Sequence, residues 1–193
     1  MNGTRYRVTG GTTKTTETLP NLGLVWEATD ALKLYASYAE GYTVADIGRV
    51  LRGITAAGQR VDNLVDLQPV IADNQEVGLD YDDGRWLVHL ALYRSDSDLG
   101  SRLAFDTATQ TYAVVRERTE IKGFDGSLSY RFSDGMRAGL AYARSEGRYD
   151  SNADGRVDSD LPGINISPDR VTALGEASFT PSVDVLLQAS TAL

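Results

Sequence analysis

Asp150-Ser151-Asn152-Ala153-Asp154-Gly155-Arg156-Val157-Asp158 spaces oxygen donors as calcium chemistry does. It reads D-x-N-x-D-G, the first half of an EF-hand-type loop. In such a loop, carboxylate and amide oxygens at alternate positions converge on one hard cation, and the glycine permits a sharp turn. Asp150, Asn152, Asp154, Asp158 and Asp160 are the candidate ligands for Ca2+. The closing acidic ligand falls at Leu161, which has no donor, and Asp160 stands one residue early. The plainer reading is an outward loop rich in turn-forming Asp, Asn and Gly. A second cluster, Arg49 and Arg52 between Asp46 and Arg60, offers forked N–H donors to an anion, with Tyr42 as a stacking surface. The alternative there is a surface loop held by salt bridges. Arg102, Arg116 and Arg118 are weaker candidates of the same kind. His89 is the only histidine and the only group suited to base catalysis near neutral pH. It alternates with Leu87 and Ala91, and no nucleophile motif accompanies it. Gly10-Gly11-Thr12-Thr13-Lys14 lacks the spacing of a phosphate-binding loop and reads as a polar segment.

Composition removes whole classes of function. The 193 residues carry a formal net charge of −8, against nucleic-acid binding, which needs clustered Lys and Arg. Cysteine is absent, so disulfides and Cys-ligated metals are excluded. A hydrophobic fraction of 41% is too high for a disordered chain. No stretch reaches the roughly 18 consecutive apolar residues of a membrane helix, though a membrane β-barrel needs none. Met1–Tyr6 lacks the apolar core of a secretion signal, so an exported protein would have lost its leader or would start upstream of Met1.

The elements that must position these residues are strands. Period two runs through the chain, with almost no helical periodicity. Leu22, Leu24 and Trp26 share a face, as do Leu32, Leu34, Ala36 and Tyr38, then Val77, Leu79 and Tyr81, and Trp86, Val88, Leu90 and Leu92. Phe124, Leu128, Tyr130 and Phe132 continue the pattern, followed by Met136–Tyr142, Val171–Phe179 and Val183–Ala189. Connections alternate in length. Tight turns fall at Thr29-Asp30, Asp82-Asp83-Gly84, Ser133-Asp134-Gly135 and Thr180-Pro181-Ser182; long loops fall at about 41–74, 106–110 and 150–168. This alternation belongs to an up-and-down membrane barrel rather than to a Greek-key sandwich. Aromatics near the strand ends, such as Trp26, Tyr38, Tyr81, Trp86, Tyr130 and Tyr142, fit interfacial girdles. Arg85–Phe105 and Thr111–Phe132 are each about twice the 9–11 residues needed to cross a bilayer. Their charged distal halves predict a hairpin that leaves the membrane and stands in water.

Three segments resemble TonB-dependent outer-membrane receptors of the siderophore type. Leu19-Pro20-Asn21-Leu22-Gly23-Leu24-Val25-Trp26, then Leu34-Tyr35-Ala36-Ser37-Tyr38-Ala39-Glu40-Gly41-Tyr42, is similar to the family's "P-x-x-G-L-V" strand turning into "L-Y-A-S-Y-x-E-G-[FY]". Leu67-Gln68-Pro69 with Asn74-Gln75-Glu76-Val77-Gly78-Leu79 resembles "L-x-P-E-x-x-x-x-x-E-x-G", with Val70 where Glu is commoner. Ile121-Lys122-Gly123-Phe124-Asp125 resembles the strand "x-G-[FVL]-E". The resemblance implies an all-β fold: residues 1–193 as about eight or nine antiparallel strands of a transmembrane barrel that totals about 22 around a plug. The plug and the final aromatic-terminated strand would lie outside this chain, which reads as a fragment. It further implies the outer membrane of a Gram-negative bacterium, with its lipid, a ferric siderophore or similar scarce nutrient, and TonB acting through the plug as partners. No covalently bound cofactor and no enzymatic activity are implied. Arg49, Arg52 and Tyr42 would then meet an anionic ferric ligand, and His89 would face the lumen or plug.

Other readings make different demands. A small outer-membrane barrel with a structural or adhesion role needs a leader and a terminal aromatic. A barrel enzyme needs an acid–His or Ser–His pair on the inward face. A soluble sandwich needs its apolar face packed into a core.

Overall fold

The computed structural model describes residues 14, 16–43, 69–106, 111–163, 165–180 and 183–192, with side chains except at 101–114 and 179–184. Nine strands form: β1 (Asn21–Glu27), β2 (Leu32–Thr43), β3 (Val70–Asp82), β4 (Trp86–Asp106), β5 (Thr111–Ser133), β6 (Met136–Tyr149), β7 (Ser159–Asp160), β8 (Arg170–Thr180) and β9 (Val183–Ala192). No helix occurs among the described residues. The strands make one antiparallel sheet in the order β1-β2-β3-β4-β5-β6-β8-β9, with the short β7 folded back on β6. Apart from β7, each strand therefore pairs with the next in sequence, the meander that the alternating connections predict. The sheet is open, with β1 and β9 at its edges.

The short turns are built from side chains that cap their own backbone. Thr29 Oγ1 accepts from the Ala31 and Leu32 amides. Asp82 Oδ1 accepts from Gly84 N at 2.8 Å, and Asp83 Oδ1 from Arg85 N and Trp86 N at 2.9 and 2.7 Å. Gly84 takes a φ of 87°, the left-handed region that only glycine enters without strain. The amides bonded to Asp83 hold its carboxyl below the ordinary carboxylate range.

At the opposite end the ladder runs further than expected. Gly41↔Ala72, Tyr42↔Ile71 and Thr43↔Val70 remain paired, so strand claims both margins of the segment predicted to be loop at 41–74. Val70 and Ile71, adjacent and both apolar, fall on opposite faces and do not announce a strand by alternation. β4 and β5 pair as far as Asp106↔Thr111, confirming one long hairpin, with a register shift between Ser97 and Gly100. The 150–168 segment is irregular apart from β7.

Register places residues across the sheet in continuous rungs. Leu24, Ala36, Val77, Leu92 and Phe124 form one, and Trp86, Tyr130 and Ala138 another. All lie on the same face. The next rung up or down belongs to the opposite face: Glu27, Lys33, Asp80, His89, Ser127, Ala141, Thr172 and Ser190.

No layer covers the apolar face. Leu24 is 68% exposed and Leu140 60%, and Leu22, Trp26, Val77, Leu90, Leu92, Leu128 and Leu187 are exposed with them. Ala91 is the only fully buried apolar residue among the described residues. A soluble sheet of this size buries one face against a second layer. Exposure on this scale in water is opposed by about 25 cal/mol per Å2 of apolar surface. In hydrocarbon that penalty disappears.

Two aromatic levels bound the apolar face. Near the short turns Trp86 packs on Tyr130 with centroids 4.6 Å apart, and Tyr130 on Phe132 at 5.0 Å. At the other end Phe124 meets Tyr142 at 6.2 Å. The six residue steps from Tyr130 to Phe124 advance roughly 20 Å along the strand at ~3.3 Å per residue, or about 15 Å along the bilayer normal for a strand tilted by about 40°, less than the full apolar band of about 25 Å.

In a bilayer-inserted barrel containing this segment, Leu140→Arg should destabilise the protein by about 2–4 kcal/mol. Thr172→Arg, on the opposite face, should have a much smaller effect. Urea unfolding in lipid vesicles measures both; equal costs would contradict the assignment of faces.

Candidate functional site

The polar face is a wall of paired charges, hydroxyls and small residues. Lys33 Nζ meets Glu27 Oε1 at 2.9 Å, and Thr172 and Ser190 share a hydrogen bond of 2.8 Å. Four residues along the strands on the same face, Arg137 Nη2 donates to Glu176 Oε2 at 2.5 Å, while Arg137 Nε is buried without a partner. An open cavity at the short-turn end is lined by Lys33, Asp80, His89, Ser127, Ser129 and Arg137. Most of these ion pairs are exposed enough that each contributes little to stability. Their effect is to make this wall wettable.

His89 sits in the middle of the wall. Its Nδ1 lies 2.7 Å from Asp80 Oδ1, and its ring stacks near Tyr35 with centroids 6.3 Å apart. Ser127 is its cross-strand neighbour. The acid–His pair that a barrel enzyme demands is thus present on this face, but no hydrogen bond joins His89 to Ser127 among those found. The neighbouring backbone N–H groups are committed to the sheet ladder, which leaves no prepared oxyanion site. The geometry fits a wall histidine.

Two aromatic seats on this face escaped sequence reasoning. The Tyr93 ring lies over Gly123, where an added Cβ would come within 2.1 Å of it, and its hydroxyl reaches Ser145 Oγ at 2.5 Å. Tyr35 lies over Gly78 in the same manner, 2.5 Å from an added Cβ. Tyr35↔Gly78 and Tyr93↔Gly123 are direct cross-strand pairs, a signal that appears only once register is known.

At the long-loop end, Tyr42 projects from β2 and is exposed. Its expected companions Arg49 and Arg52 lie outside the described residues, as do Asp46, Arg60 and the Gly10–Thr13 segment; the Arg102 side chain lies outside them too. Arg118 Nη1 donates to the Gly155 carbonyl at 3.1 Å, which ties the hairpin to the next loop.

The structure brings the 150–160 residues together in a specific way. Asp150 is buried, and its Oδ1 accepts from the Asn152 and Asp154 amides while Oδ2 accepts from Gly155 N at 2.6 Å. Asn152 Oδ1 accepts from Asp154 N, and Asp154 Oδ1 from Arg156 N. Asp158 accepts from the Ser151 amide and hydroxyl, which hold its carboxyl below the ordinary carboxylate range. Asp160 lies 3.6 Å from Arg148. Ala153 and Gly155 take positive φ of 61° and 85° to complete the turn. The loop's oxygens are directed at its own N–H groups. No cluster of three or more His, Cys, Asp or Glu able to hold a metal occurs among the described residues. Beyond the loop, Leu161 N donates to Gly147 O, and Leu161 and Ile166 pack on Gly147, which shares the polar face. The connection therefore lies over the wall.

A meander with an uncovered apolar face, a polar wall behind it and a tall hairpin at one end is the geometry of an outer-membrane transporter barrel. The family model for TonB dependent receptor-like β-barrels matches residues 2–187. The chain belongs to that family. Solved structures of similar shape include the FrpB iron transporter of Neisseria meningitidis, 16% identical with a TM-score of 0.58, covering 89% of this chain and 26% of that one. The pyoverdine receptor FpvA of Pseudomonas aeruginosa PAO1, bound to pyoverdine, is 20% identical with a TM-score of 0.59, covering 89% and 24%. The siderophore receptor PiuA of Acinetobacter baumannii is 17% identical with a TM-score of 0.53, covering 87% and 25%. At these identities the likeness is one of fold. The chain spans about a quarter of the length of the receptors it matches. The family consists of transport receptors rather than enzymes.

Because folding lowers the Asp158 pKa, its contribution to loop order is present above the unfolded carboxylate value and is lost as pH falls through the lower, folded one. Hydrogen exchange of the 150–160 amides should therefore loosen, relative to neighbouring strands, as pH drops below about 4. Asp158→Asn should flatten that response. Separately, Gly123→Ala should cost the receptor about 1–3 kcal/mol by displacing the Tyr93 ring, read by denaturant unfolding in detergent micelles.

Proposed function

We propose that this chain is a wall of an outer-membrane receptor that imports a ferric siderophore or a similar scarce nutrient. The observation that carries the reading is the pairing of an exposed apolar face, bounded by aromatics, with a continuous polar rung from Glu27 to Ser190. That pairing suits a sheet standing between lipid and a wet lumen. Membership of the TonB-dependent receptor-like family supports location in the Gram-negative outer membrane and coupling to TonB in the parent protein. The iron transporter, the pyoverdine receptor and the siderophore receptor among its fold neighbours support the ligand class.

Within this reading the ligand meets the long-loop end. Arg49 and Arg52, which follow β2 in sequence, offer fork-shaped donors for carboxylate or catecholate oxygens, whereas Tyr42 shares the register of Leu34 and Ala36 on the apolar face. The hairpin β4–β5 rises at the same end of the sheet. Lumen-side His89 and Asp80 line the path rather than react with cargo.

Radioiron uptake by an iron-starved strain lacking the full-length parent gene tests the proposal, with a panel of ferric siderophores supplied one at a time. Loss of uptake for one complex, restored by the gene and reduced about tenfold or more by Arg49→Ala with Arg52→Ala, is expected; each charged hydrogen bond removed costs about 1.5–3 kcal/mol. Undiminished uptake of every ferric complex would remove iron from the reading.

A further inference from the structure

Residues 150–169 join β6 to β8, and a connection of that length on an outward surface is ordinarily among the mobile parts of a fold. This one is fastened at both ends and in its middle. At its start Asp150 N donates to Arg118 O at 3.0 Å, and Arg118 Nη1 donates to Gly155 O at 3.1 Å. β7 then lies antiparallel on β6, with Asp158 N donating to Tyr149 O at 3.0 Å. At its end the Tyr142 hydroxyl donates to Asp169 Oδ2 at 2.9 Å.

The middle fastening reaches into the lumen side of the sheet. Gly147 stands opposite Ile121, one lumen-side level above Ser145. Leu161 N donates to Gly147 O at 2.8 Å, and the Leu161 side chain fills the place of the missing Cβ. A Cβ added at Gly147 would stand 2.5 Å from Leu161 Cδ1, and 3.3 Å from both Leu161 Cβ and Ile166 Cδ1. Gly147 is buried beneath them. Lifting this limb would return both apolar side chains to a wet lumen, which the hydrophobic effect opposes. Pro162 and Pro168 fix their own φ, and Asn165 N closes a turn onto Pro162 O at 2.8 Å. The limb therefore has less conformational freedom to lose on seating.

We propose that the limb carrying Leu161 and Ile166 is a fixed strap, seated on Gly147, that narrows the long-loop mouth beside β6 and stays seated while cargo passes. It is part of the wall rather than a lid. Its work is to keep the upper lumen side of β6 out of reach of cargo and to hold the 150–158 turn against the β4–β5 hairpin. The strap's part in cargo passage rests on the receptor reading; its seating does not.

The sequence contains no cysteine, and the 3.3 Å between the two Cβ positions approaches the about 3.5–4.5 Å of a disulfide. Gly147→Cys with Leu161→Cys is placed in the full-length receptor in cells, any other cysteine of the parent being replaced by serine. The pair should oxidise without added catalyst, read as protection from a maleimide gel-shift reagent. Radioiron uptake from the panel of ferric siderophores should be the same before and after a reducing agent. In the wild-type receptor the Leu161 amide should exchange as slowly as its neighbours in β6, and Gly147→Val, which expels Leu161, should speed that exchange at least about tenfold while the β4–β5 ladder stays protected. Loop-like exchange at Leu161 in the wild type overturns the proposal without any variant, as does a cysteine pair that stays reduced. Uptake lost on pairing and restored by the reducing agent overturns it too, because the limb is then a moving lid. Should the wild type import none of the ferric complexes, the siderophore reading falls, while thiol pairing and exchange still judge the strap.

Discussion

A backbone amide has nowhere to turn in hydrocarbon, and that constraint governs this chain. Every N–H and C=O in a lipid-exposed segment needs a partner within the protein, because the bilayer interior supplies none. A meander satisfies the demand in the most local way: each strand pairs with the one before and the one after it, from β1 to β6 and on through β8 and β9. With the ladder closed between neighbours, side chains are free to do something forbidden in water. They leave Leu24, Leu90 and Leu140 uncovered and build no core. What would be a folding failure in a soluble domain is here the condition for solubility in lipid.

Register then decides which surface is wet. Side chains alternate with a period of two, so a slip of one residue would send His89, Asp80 and Lys33 into lipid and Leu34, Leu79 and Leu90 into the lumen. Tyr35 over Gly78 and Tyr93 over Gly123 act as keys against such a slip. Each ring fills a space that a neighbouring Cβ would close. The Tyr93 hydroxyl reaches across to Ser145, so one side chain spans β4, β5 and β6. Short turns add a second lock, since Asp82, Asp83 and Thr29 fix the backbone by bonding to it. A barrel wall must keep its charges on one side, and this fixity does so.

Much of this was legible without coordinates because a lipid-facing sheet writes its pattern locally. Leu22, Leu24 and Trp26 announce a strand and its face together, and Asp82-Asp83-Gly84 announces the turn. The alternation of short and long connections set the topology. Two things were not legible. The margins of the predicted 41–74 loop are strand, because Gly41–Thr43 and Val70–Asn74 gain their identity from pairing with each other across a long gap. The Asp150 loop has the spacing of a calcium site, yet the same spacing also serves a loop whose carboxylates accept from its own amides. Asp and Asn favour both outcomes, and spacing alone does not separate them.

The edges show how far the fold depends on more than these strands. β1 is exposed along its whole length, with Val25 on the polar face as open as Leu24 on the apolar one. β9 repeats this with Leu186 and Leu187. Interior strands show a different balance: Leu34 and Leu79 are partly covered by neighbours on both sides. An outer β-strand that pairs on one side only leaves alternate amides and carbonyls unsatisfied, which lipid penalises by several kcal/mol per group. The two edges therefore require partners, and in a barrel further strands supply them. Stability of this wall is a property of the closed barrel, so substitutions at β1 or β9 act on barrel closure, while those at Tyr93 or Gly123 act on the wall itself.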